Sequence, residues 1–584
     1  MLSYTEKSSY REDIDGLRAI AVVVVILFHF GHLEHGYLGV DIFFVISGYL
    51  ITKILYIKSL EDKFSILDFY QRRIRRIIPL VTFVCIVALI IGYIVMLPDD
   101  LENLAQSIIA TTFFSNNILQ YLTTHDYWAI ANEYRPLMHS WSLAIEEQYY
   151  LLYPFFFLFF SKQRIKYILP LLILLTIGSL GLYFATFDEA SKFYLLPFRF
   201  YELSIGGVVA VVFKNKLIVT NWRFLVLISI ILVLFCRIPG VNSLVLNPIV
   251  VLLTAMLLVT HSKVNSITSF ILENKVMIGL GKISFSLYMW HQLILAFTRY
   301  TYQQDPSFLT LVIVSVCTVV LSILTYYFIE QPFRKKKFIS IGKVLVILSC
   351  AIGILLVCSG LIYRVSGAVR DVPEYNIEKG KMLKDAPRLY NEAIRKRNKP
   401  FSNDDRTKVL VIGNSYARDW SNVLLESKYG STLEISYVEK VENQLDLSDK
   451  FELADIIFYS VKQKSDLTHL SDSILQKIWC VGTKNFGQNN GIYYNNKGED
   501  YCLQRTNLSR KVRALNADLK KQWQSKYIDL IGSLIDSENS LPIFTDNCKF
   551  ISHDGSHFTE AGAQYFSKLL ELKIKNIIKD QRND

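Results

Sequence analysis

The chain has 584 residues, of which 51% are hydrophobic and 20% are charged, and its formal net charge is +11. Its mean hydropathy of +0.28 is too high for an ordinary soluble protein, whereas its C-terminal part is too charged to consist only of membrane spans. In a multispanning protein an excess of Lys and Arg mostly orients loops, so this charge does not indicate a nucleic-acid partner. Composition predicts a multispanning helical membrane domain followed by a soluble domain.

Apolar segments long enough to cross a membrane predict about ten helices in a domain over residues 1–335 and an additional transmembrane helix within 336–363. A weaker, more polar candidate covers 102–122. The eleven segments lie near 14–33, 37–57, 77–97, 143–160, 165–186, 197–213, 222–238, 244–260, 283–300, 308–329 and 341–362.

Basic clusters fall on alternate connections between these segments, which predicts that they share the cytoplasmic side. The N-terminus is then inside, and the eleventh helix exports a linker over 364–404 and a soluble domain over 405–584. The clusters are 71–76, 161–166, 214–216, Lys263 with Lys275, and 334–337.

Arg18 and His29 lie eleven residues apart on the first segment, about three helical turns, and so share one helix face about 16 Å apart along the axis. A histidine inside an apolar helix is costly and needs a reason. One interpretation is an interfacial arginine and a histidine satisfied by a neighbouring helix. The other is a functional pair.

Further ionisable residues inside the segments indicate a polar cavity, which is functional by default. For any one of them the alternative is a structural ion pair, and Arg199 with Glu202, at positions i and i+3, fits that alternative. The full set is Arg18, His29, Asp41, Glu146, Glu147, Arg199, Glu202 and His291.

Several motifs in order resemble the acyltransferase-3 membrane family over about residues 11–335. The motifs are Arg18-x10-His29, GVDIFFVISGYLI (39–51), YQRRIRRIIP (70–79), SWSLAIEEQYYLLYP (140–154), RFYEL (199–203), ISFSLYMWH (283–291) and IEQPFR (329–334). The resemblance implies transfer of an acyl group, usually acetyl, from cytoplasmic acyl-CoA across the membrane to a carbohydrate.

The resemblance gives these polar residues roles. His29 meets the thioester as general base or acyl acceptor, and arginines grip the phosphates of acyl-CoA. The alternative for the basic cluster is an ordinary cytoplasmic loop. The candidates for CoA binding are Arg18, Arg72, Arg73 and Arg76, and Arg75 belongs to the same basic cluster. The supporting candidates are Glu146, Arg199 and His291.

In the soluble domain, KVLVIGNSYARDW combines a β-branched run, a Gly-x-Ser turn and a helix-like segment. This pattern puts Ser415 at a strand-to-helix junction, where its own N–H points at a developing oxyanion. Further strands are predicted at 432–438, 454–461 and 477–482, and helices at 507–526 and 558–579. Alternating strands and helices predict a parallel sheet covered by helices.

Near the end, ISHDGSHFTEAGAQYF contains Asp554 and His557, three residues apart, so that both can face one serine. The chain order Ser…Asp…His and DGSHFTEAGA resemble the SGNH hydrolase family over about 405–580, which implies a flavodoxin-like three-layer fold. GNSYA departs from the usual GDSHA, since Asn414 and Tyr416 replace Asp and His. GTKNFG (482–487) offers Asn485 as an oxyanion donor. The alternative is a binding module without catalysis.

The soluble domain has three cysteines, and export would put them in an oxidising compartment. We predict a Cys502–Cys548 disulfide that staples the loop with Asp554 and His557, although other pairings remain open. Cys480 ends a predicted strand as a buried thiol. No Cys/His spacing for a metal is present, and we expect no metal and no permanently bound cofactor.

The fusion of the two domains resembles bacterial surface-polysaccharide O-acetyltransferases. It implies a multi-pass protein of the bacterial inner membrane with a periplasmic SGNH domain, acetyl-CoA as donor and a lipid-linked or surface polysaccharide as acceptor. Lipopolysaccharide O-antigen or lipooligosaccharide is the expected acceptor, with peptidoglycan as the alternative. Two other classes stay open: a glycolipid transporter with a non-catalytic receptor domain, and an esterase on a passive membrane anchor.

Overall fold

The computed structural model describes residues 3–5, 10–124, 133–159, 165–214, 216–220, 222–236, 243–261, 266–302, 305–335, 337–380, 387–439, 445–460, 467, 470–486 and 489–580. The chain forms two compact units. Unit 1 comprises Met1–Ile94, Asn103–Arg299 and Asp305–Leu361, and unit 2 comprises Val95–Glu102, Tyr300–Gln304 and Ile362–Asp584.

Within the described residues, each of the eleven predicted apolar segments lies on a helix. By length and composition, six of the described stretches could cross a membrane: Gly36–Leu60, Ile66–Val95, Ile165–Ala185, Glu189–Phe213, Phe308–Arg334 and Ile341–Arg364. The helices are α1 Glu12–His29, α2 Gly39–Leu60, α3 Ile66–Val95, α4 Pro98–Thr112, α5 Asn116–Thr124, α6 Ser140–Phe159, α7 Ile168–Ala185, α8 Glu189–Tyr194, α9 Leu196–Phe213, α10 Arg223–Phe235, α11 Ser243–Val259, α12 Ile267–Leu272, α13 Lys275–Lys282, α14 Ser284–Thr301, α15 Phe308–Thr325, α16 Gln331–Arg334 and α17 Ile341–Arg364. A short sheet joins β1 Ser3–Thr5, β2 Lys216–Val219 and β3 Thr260–His261.

Two sequence predictions in this unit are wrong. The weak candidate over 102–122 is not one span, because α4 ends at Thr112 and α5 begins at Asn116. The basic run 71–76 is not a loop but lies in the first turns of α3. Because arginine is a good helix former, helix α3 begins before the apolar segment and includes the basic run. Residues 161–164 and Lys263, from two other basic clusters, lie outside the described residues.

Helix α2 packs closely on α9 in the centre of unit 1. A Cβ atom added at Gly48 would lie 1.8 Å from the Leu203 carbonyl oxygen, so only glycine permits this approach. Around this contact, buried apolar side chains from α1, α2, α10 and α11 form one core cluster, among them Leu17, Ile42, Leu227 and Val250. The unit is thus a packed helical bundle into which polar side chains project.

Unit 2 contains a five-stranded parallel sheet in the order β5-β4-β6-β7-β9. Alternate residues of β4 enter two separate core clusters, Val409 and Val411 on one side and Leu410 and Ile412 on the other, so both faces of the sheet are covered. The strands are β4 Thr407–Ile412, β5 Leu433–Val438, β6 Ile456–Tyr459, β7 Ile478–Val481 and β9 Tyr527–Ile528, and a separate antiparallel pair is formed by β8 Arg505–Asn507 and β10 Ser540–Pro542.

The predicted parallel sheet with covering helices is confirmed, and the sequence patterns missed only its short edge strand β9. The predicted helix over 558–579 consists of two helices that meet at Leu570. The helices of unit 2 are α18 Pro387–Ala393, α19 Ser415–Glu426, α20 Leu445–Leu453, α21 Asp472–Lys477, α22 Asn490–Asn495, α23 Arg510–Trp523, α24 Glu560–Leu569 and α25 Glu571–Asp580.

Candidate active sites

A cavity in unit 1 has a volume of about 160 Å³ and is lined by α1, α2, α3, α6 and α14. Three guanidinium groups and one carboxylate reach it, namely those of Arg18, Arg73, Arg76 and Glu146. Most of the remaining lining is apolar and aromatic. A partly open cavity with an excess of positive charge and an otherwise largely apolar lining suits a ligand that has an anionic end and a neutral arm.

Local contacts hold these charged side chains. The Arg73 guanidinium stacks on the Tyr150 ring at 5.1 Å, and Arg18 pairs with Asp15 at 3.5 Å. Glu146 accepts hydrogen bonds from the hydroxyls of Ser47 and Tyr150. The carboxylate is therefore engaged by neutral donors, and the cavity keeps its net positive character.

The other two arginines of the predicted phosphate-binding cluster do not line this cavity. Arg72 forms an ion pair with Asp68. The buried Arg75 donates a hydrogen bond to the Phe333 carbonyl oxygen at 3.0 Å. Helical spacing turns Arg75 away from Arg73 and Arg76, whereas Arg72 lies on the face of Arg76 and is held one turn earlier by its ion pair with Asp68.

His29 is the last residue of α1 and lines a second, much smaller space of about 10 Å³. Val40 and Tyr288 line both this space and the larger cavity, so the two are neighbours. The Tyr288 hydroxyl donates to the His139 carbonyl oxygen at 2.7 Å and lies 2.5 Å from the Ser142 hydroxyl. Arg18 and His29 thus belong to one helix and to adjacent cavities.

Two further histidines pack beside His29. The ring centroid of His291 lies 5.1 Å from that of His29 and 5.3 Å from that of His139. His291 was among the supporting residues predicted from the sequence, whereas His139 was missed. The available signal was its position directly before the SWSL motif.

Arg199 also lines the small space, but its guanidinium is committed to carboxylates. It lies 2.8 Å from Asp41 and 2.9 Å from Glu202, and all three side chains are buried. Asn247 donates a further hydrogen bond to Asp41 at 3.0 Å. The ion pair anticipated between Arg199 and Glu202 is therefore present as part of a larger buried network, and Arg199 is best understood as a structural support of the His29 site.

In unit 2, Ser415 is the first residue of α19, directly after β4, as the sequence pattern predicted. Gly413 has a φ of +127°, which non-glycine residues rarely adopt, and so it permits the tight turn. The Asn414 side chain caps the helix by accepting from the Tyr416 N–H at 3.0 Å and from the Ser460 hydroxyl at 3.1 Å. Because Asn and Asp are equally good caps, the change from GDS to GNS keeps this function.

Asp554 and His557 form a preassembled pair. His557 Nδ1 lies 2.5 Å from Asp554 Oδ2, and the backbone N–H groups of Ser556 and His557 donate to Asp554 Oδ1 at 2.9 and 2.8 Å. Burial acts to raise the pKa of the Asp554 carboxyl, but the hydrogen bond and charge of His557 outweigh it and hold that pKa well below its ordinary value. Within the described part of the chain, no hydrogen bond joins Ser415 to His557.

A buried ion pair, which the sequence analysis missed, connects the elements that carry these residues. The ammonium of Lys484 pairs with Asp419 on α19, and both side chains are fully buried. Asp419 Oδ2 also accepts from the Phe558 N–H, directly after His557, at 2.8 Å. Burial lowers the pKa of the Lys484 ammonium, and the neighbouring Asp419 carboxylate opposes that effect.

The same lysine contacts Tyr416, the residue that departs from the usual GDSHA. Lys484 Nζ lies 5.0 Å from the Tyr416 ring and 4.5 Å from the Phe558 ring, and the Tyr416 hydroxyl donates to the Lys484 carbonyl oxygen at 3.3 Å. The loop of Asn485 therefore reaches the residue next to Ser415. A role for Asn485 as an oxyanion donor stays a prediction.

Cys502 and Cys548 form a disulfide with Cα atoms 5.0 Å apart, and Cys480 is a buried free thiol. Cys548 lies six residues before Asp554, so the bridge is attached to the segment that leads into the Asp–His loop. Among the described residues, no group of three or more His, Cys, Asp or Glu side chains is arranged to hold a metal ion.

Comparison with known proteins identifies a family and several relatives that this chain resembles. A family model described as an acyltransferase domain, that of acyltransferase-3, matches residues 11–327. O-acetyltransferase OatA of Staphylococcus aureus strain NCTC 8325 / PS 47 is 31% identical over 353 residues, which cover 56% of this chain and 58% of OatA. SAS0844 of strain MSSA476, provisionally named an O-acetyltransferase, is 31% identical over 366 residues, 57% of this chain and 58% of that protein.

The matched stretch thus spans little more than half the length of these curated relatives. No solved structure gives a significant match. The family model covers more than half of the chain and includes the helices that carry Arg18, Arg73, Arg76, His29 and His291. The chain belongs to the acyltransferase-3 family.

Proposed function

We propose that the protein is an O-acetyltransferase of the bacterial inner membrane that takes acetyl from cytoplasmic acetyl-CoA and delivers it to a hydroxyl of a cell-surface glycan. The observation that carries this proposal is the pair of adjacent cavities in unit 1. One is lined by three arginines, the other by His29, and Val40 and Tyr288 line both.

The donor fits these cavities by charge and shape. Arg18, Arg73 and Arg76 bind the phosphates of CoA, since guanidinium groups pair with phosphate oxygens bidentately. The neutral pantetheine arm follows the apolar wall towards Tyr288, and the thioester meets the His29 imidazole. In this proposal His29 accepts the acetyl group and carries it on the protein.

Unit 2 performs the second transfer in this proposal, as an SGNH-type domain outside the cytoplasmic membrane. The His557 imidazole, oriented by Asp554, takes the proton of the Ser415 hydroxyl while the serine accepts the acetyl group as an ester. The Ser415 N–H at the start of α19 stabilises the oxyanion, with Asn485 as the second donor. A sugar hydroxyl then takes the acetyl group from Ser415. The preassembled Asp554–His557 pair supports this step.

The acceptor is lipopolysaccharide O-antigen or lipooligosaccharide in this proposal, with peptidoglycan as the alternative. The test is mass spectrometry of both glycan fractions from a deletion strain that carries the wild-type gene, His29→Ala or His32→Ala. His32 is exposed and serves as the control for a histidine in the same segment. We expect one fraction to lose its acetyl groups with His29→Ala and to keep them with the other two genes. Unchanged acetylation of every fraction with His29→Ala would contradict the proposal.

A further inference from the structure

Three elements of unit 1 bring imidazole rings together. His29 ends α1, His291 lies on α14, and His139 directly precedes α6. The His29 and His291 ring centroids are 5.1 Å apart, and the His291 and His139 centroids are 5.3 Å apart. His139 and His291 are 1% and 0% exposed. Side chains from three distant parts of the sequence do not converge on one histidine by helical periodicity alone.

The hydrogen bonds of His291 define its tautomer. Nδ1 lies 2.7 Å from the Tyr288 carbonyl oxygen and 3.3 Å from the Leu287 carbonyl oxygen. Carbonyl oxygens only accept, so Nδ1 carries the proton and donates it, and Nε2 is left with a lone pair. In the described part of the chain this buried Nε2 has no hydrogen-bond partner. Leaving a buried acceptor unsatisfied destabilises the fold, which indicates a use for the lone pair.

The proposed acyl transfer has a proton that needs such an acceptor. A ring nitrogen of neutral His29 attacks the thioester carbon, the C–S bond breaks, and sulfur leaves with the electron pair as CoA thiolate. The ring is then an N-acetylimidazolium whose second nitrogen still carries a proton. Removal of that proton leaves neutral N-acetylimidazole, and its delivery to the thiolate gives the CoA thiol.

We infer that His291 is the proton acceptor of His29, and that its Nε2 takes the imidazolium proton, directly or through one water, before the thiolate receives it. This inference rests on the proposed function. The titratable and charged groups near the two rings are His139, Tyr288 with its ring 5.5 Å from that of His291, Arg299, which donates to the His29 carbonyl oxygen at 3.0 Å, and the Arg199–Asp41 ion pair, which lines the space beside His29. His291 acts through His29, and in this scheme it does not touch the acetyl group.

The test uses His291→Asn in the full chain in detergent. An asparagine amide can still donate to the Tyr288 carbonyl oxygen but offers no basic nitrogen. We expect release of CoA thiol from acetyl-CoA to slow by about 10²-fold or more, with the Kd for acetyl-CoA and the gel-filtration profile unchanged. His32→Asn, on the exposed segment after α1, is the control and keeps the wild-type rate.

A pH profile separates proton transfer from packing. The wild-type rate requires two neutral imidazoles, so the logarithm of the rate falls in acid with a slope of two, whereas His291→Asn leaves a slope of one. A rate within threefold of wild type, or a slow variant that keeps the wild-type slope, would overturn the inference. His29→Ala distinguishes the two proposals. If it still releases CoA the proposed function fails, and if it is inactive while His291→Asn is active only the proton role fails.

Discussion

The His29 site in unit 1 and the Asp554–His557 site in unit 2 differ in how their side chains are held. Asp554 and His557 belong to one short loop and are joined by two hydrogen bonds, and the Ser556 N–H donates a third to Asp554. His29 is surrounded by rings from α1, α14 and the residue before α6. A local loop therefore holds the His557 imidazole by short-range hydrogen bonds, whereas residues from several helices surround His29 with imidazole and aromatic rings and with the buried Arg199–Asp41 pair.

The largest effect that we expect comes from a substitution in the Asp554–His557 site of unit 2. His557→Ala in the full chain should slow hydrolysis of a small activated acetyl ester by about 10²–10⁴-fold, because the general base is lost. His29→Ala, the matched histidine change in unit 1, should leave this hydrolysis unchanged. Equal losses from both variants would mean that the two sites do not work separately.

The pH dependence of the same ester hydrolysis tests the ionisation of Asp554. Since His557 holds the pKa of Asp554 well below its ordinary value of about 4, the carboxylate stays ionised as the pH falls through the range in which imidazoles protonate. We therefore expect that loss of ester hydrolysis in mildly acidic solution does not report protonation of Asp554, and a pH–rate profile measures this.

A second change tests what holds the unit 2 site together. Lys484→Met leaves Asp419 buried without its ammonium partner, and removal of one partner of a buried pair typically costs about 3–5 kcal/mol. We expect unfolding of unit 2, followed by loss of ester hydrolysis on heating, at a clearly lower temperature. Lys428→Met is the control, because Lys428 is exposed. Equal inactivation temperatures for Lys484→Met and wild type would show that the ion pair does not support the site.

A smaller effect is expected on the binding of acetyl-CoA when an arginine of the unit 1 cavity is replaced. Arg76→Gln removes a cavity-lining charge, and a hydrogen bond to a charged group contributes about 1.5–3 kcal/mol, so the Kd for acetyl-CoA should rise about ten- to hundredfold. Arg72→Gln, one turn earlier on the same face of α3, removes a guanidinium that pairs with Asp68 and should change the Kd little. Equal effects in a binding assay would assign the arginines to a general surface potential.

Features that depend on neighbouring residues in the sequence could mostly be predicted, whereas most contacts between distant residues could not, although the Cys502–Cys548 disulfide was predicted correctly. Apolar runs predicted eleven of the helices of unit 1, and the i, i+3 spacing of Asp554 and His557 predicted their contact. The different positions of Arg76, which lines the cavity, and Arg72, which pairs with Asp68, required the contacts of each side chain, because both lie on the same face of α3. His139 and the Lys484–Asp419 pair required contacts across elements far apart in the chain, which no local period records.

The central claim is that His29 in unit 1 acts before Ser415 in unit 2. The most direct test incubates the full chain with acetyl-CoA that carries a labelled acetyl group, without glycan, and maps the label by peptide mass spectrometry. We predict label on the Ser415 peptide of the wild type and none on that of His29→Ala, although His29→Ala still hydrolyses an activated acetyl ester. Wild-type labelling of Ser415 in His29→Ala would contradict the account.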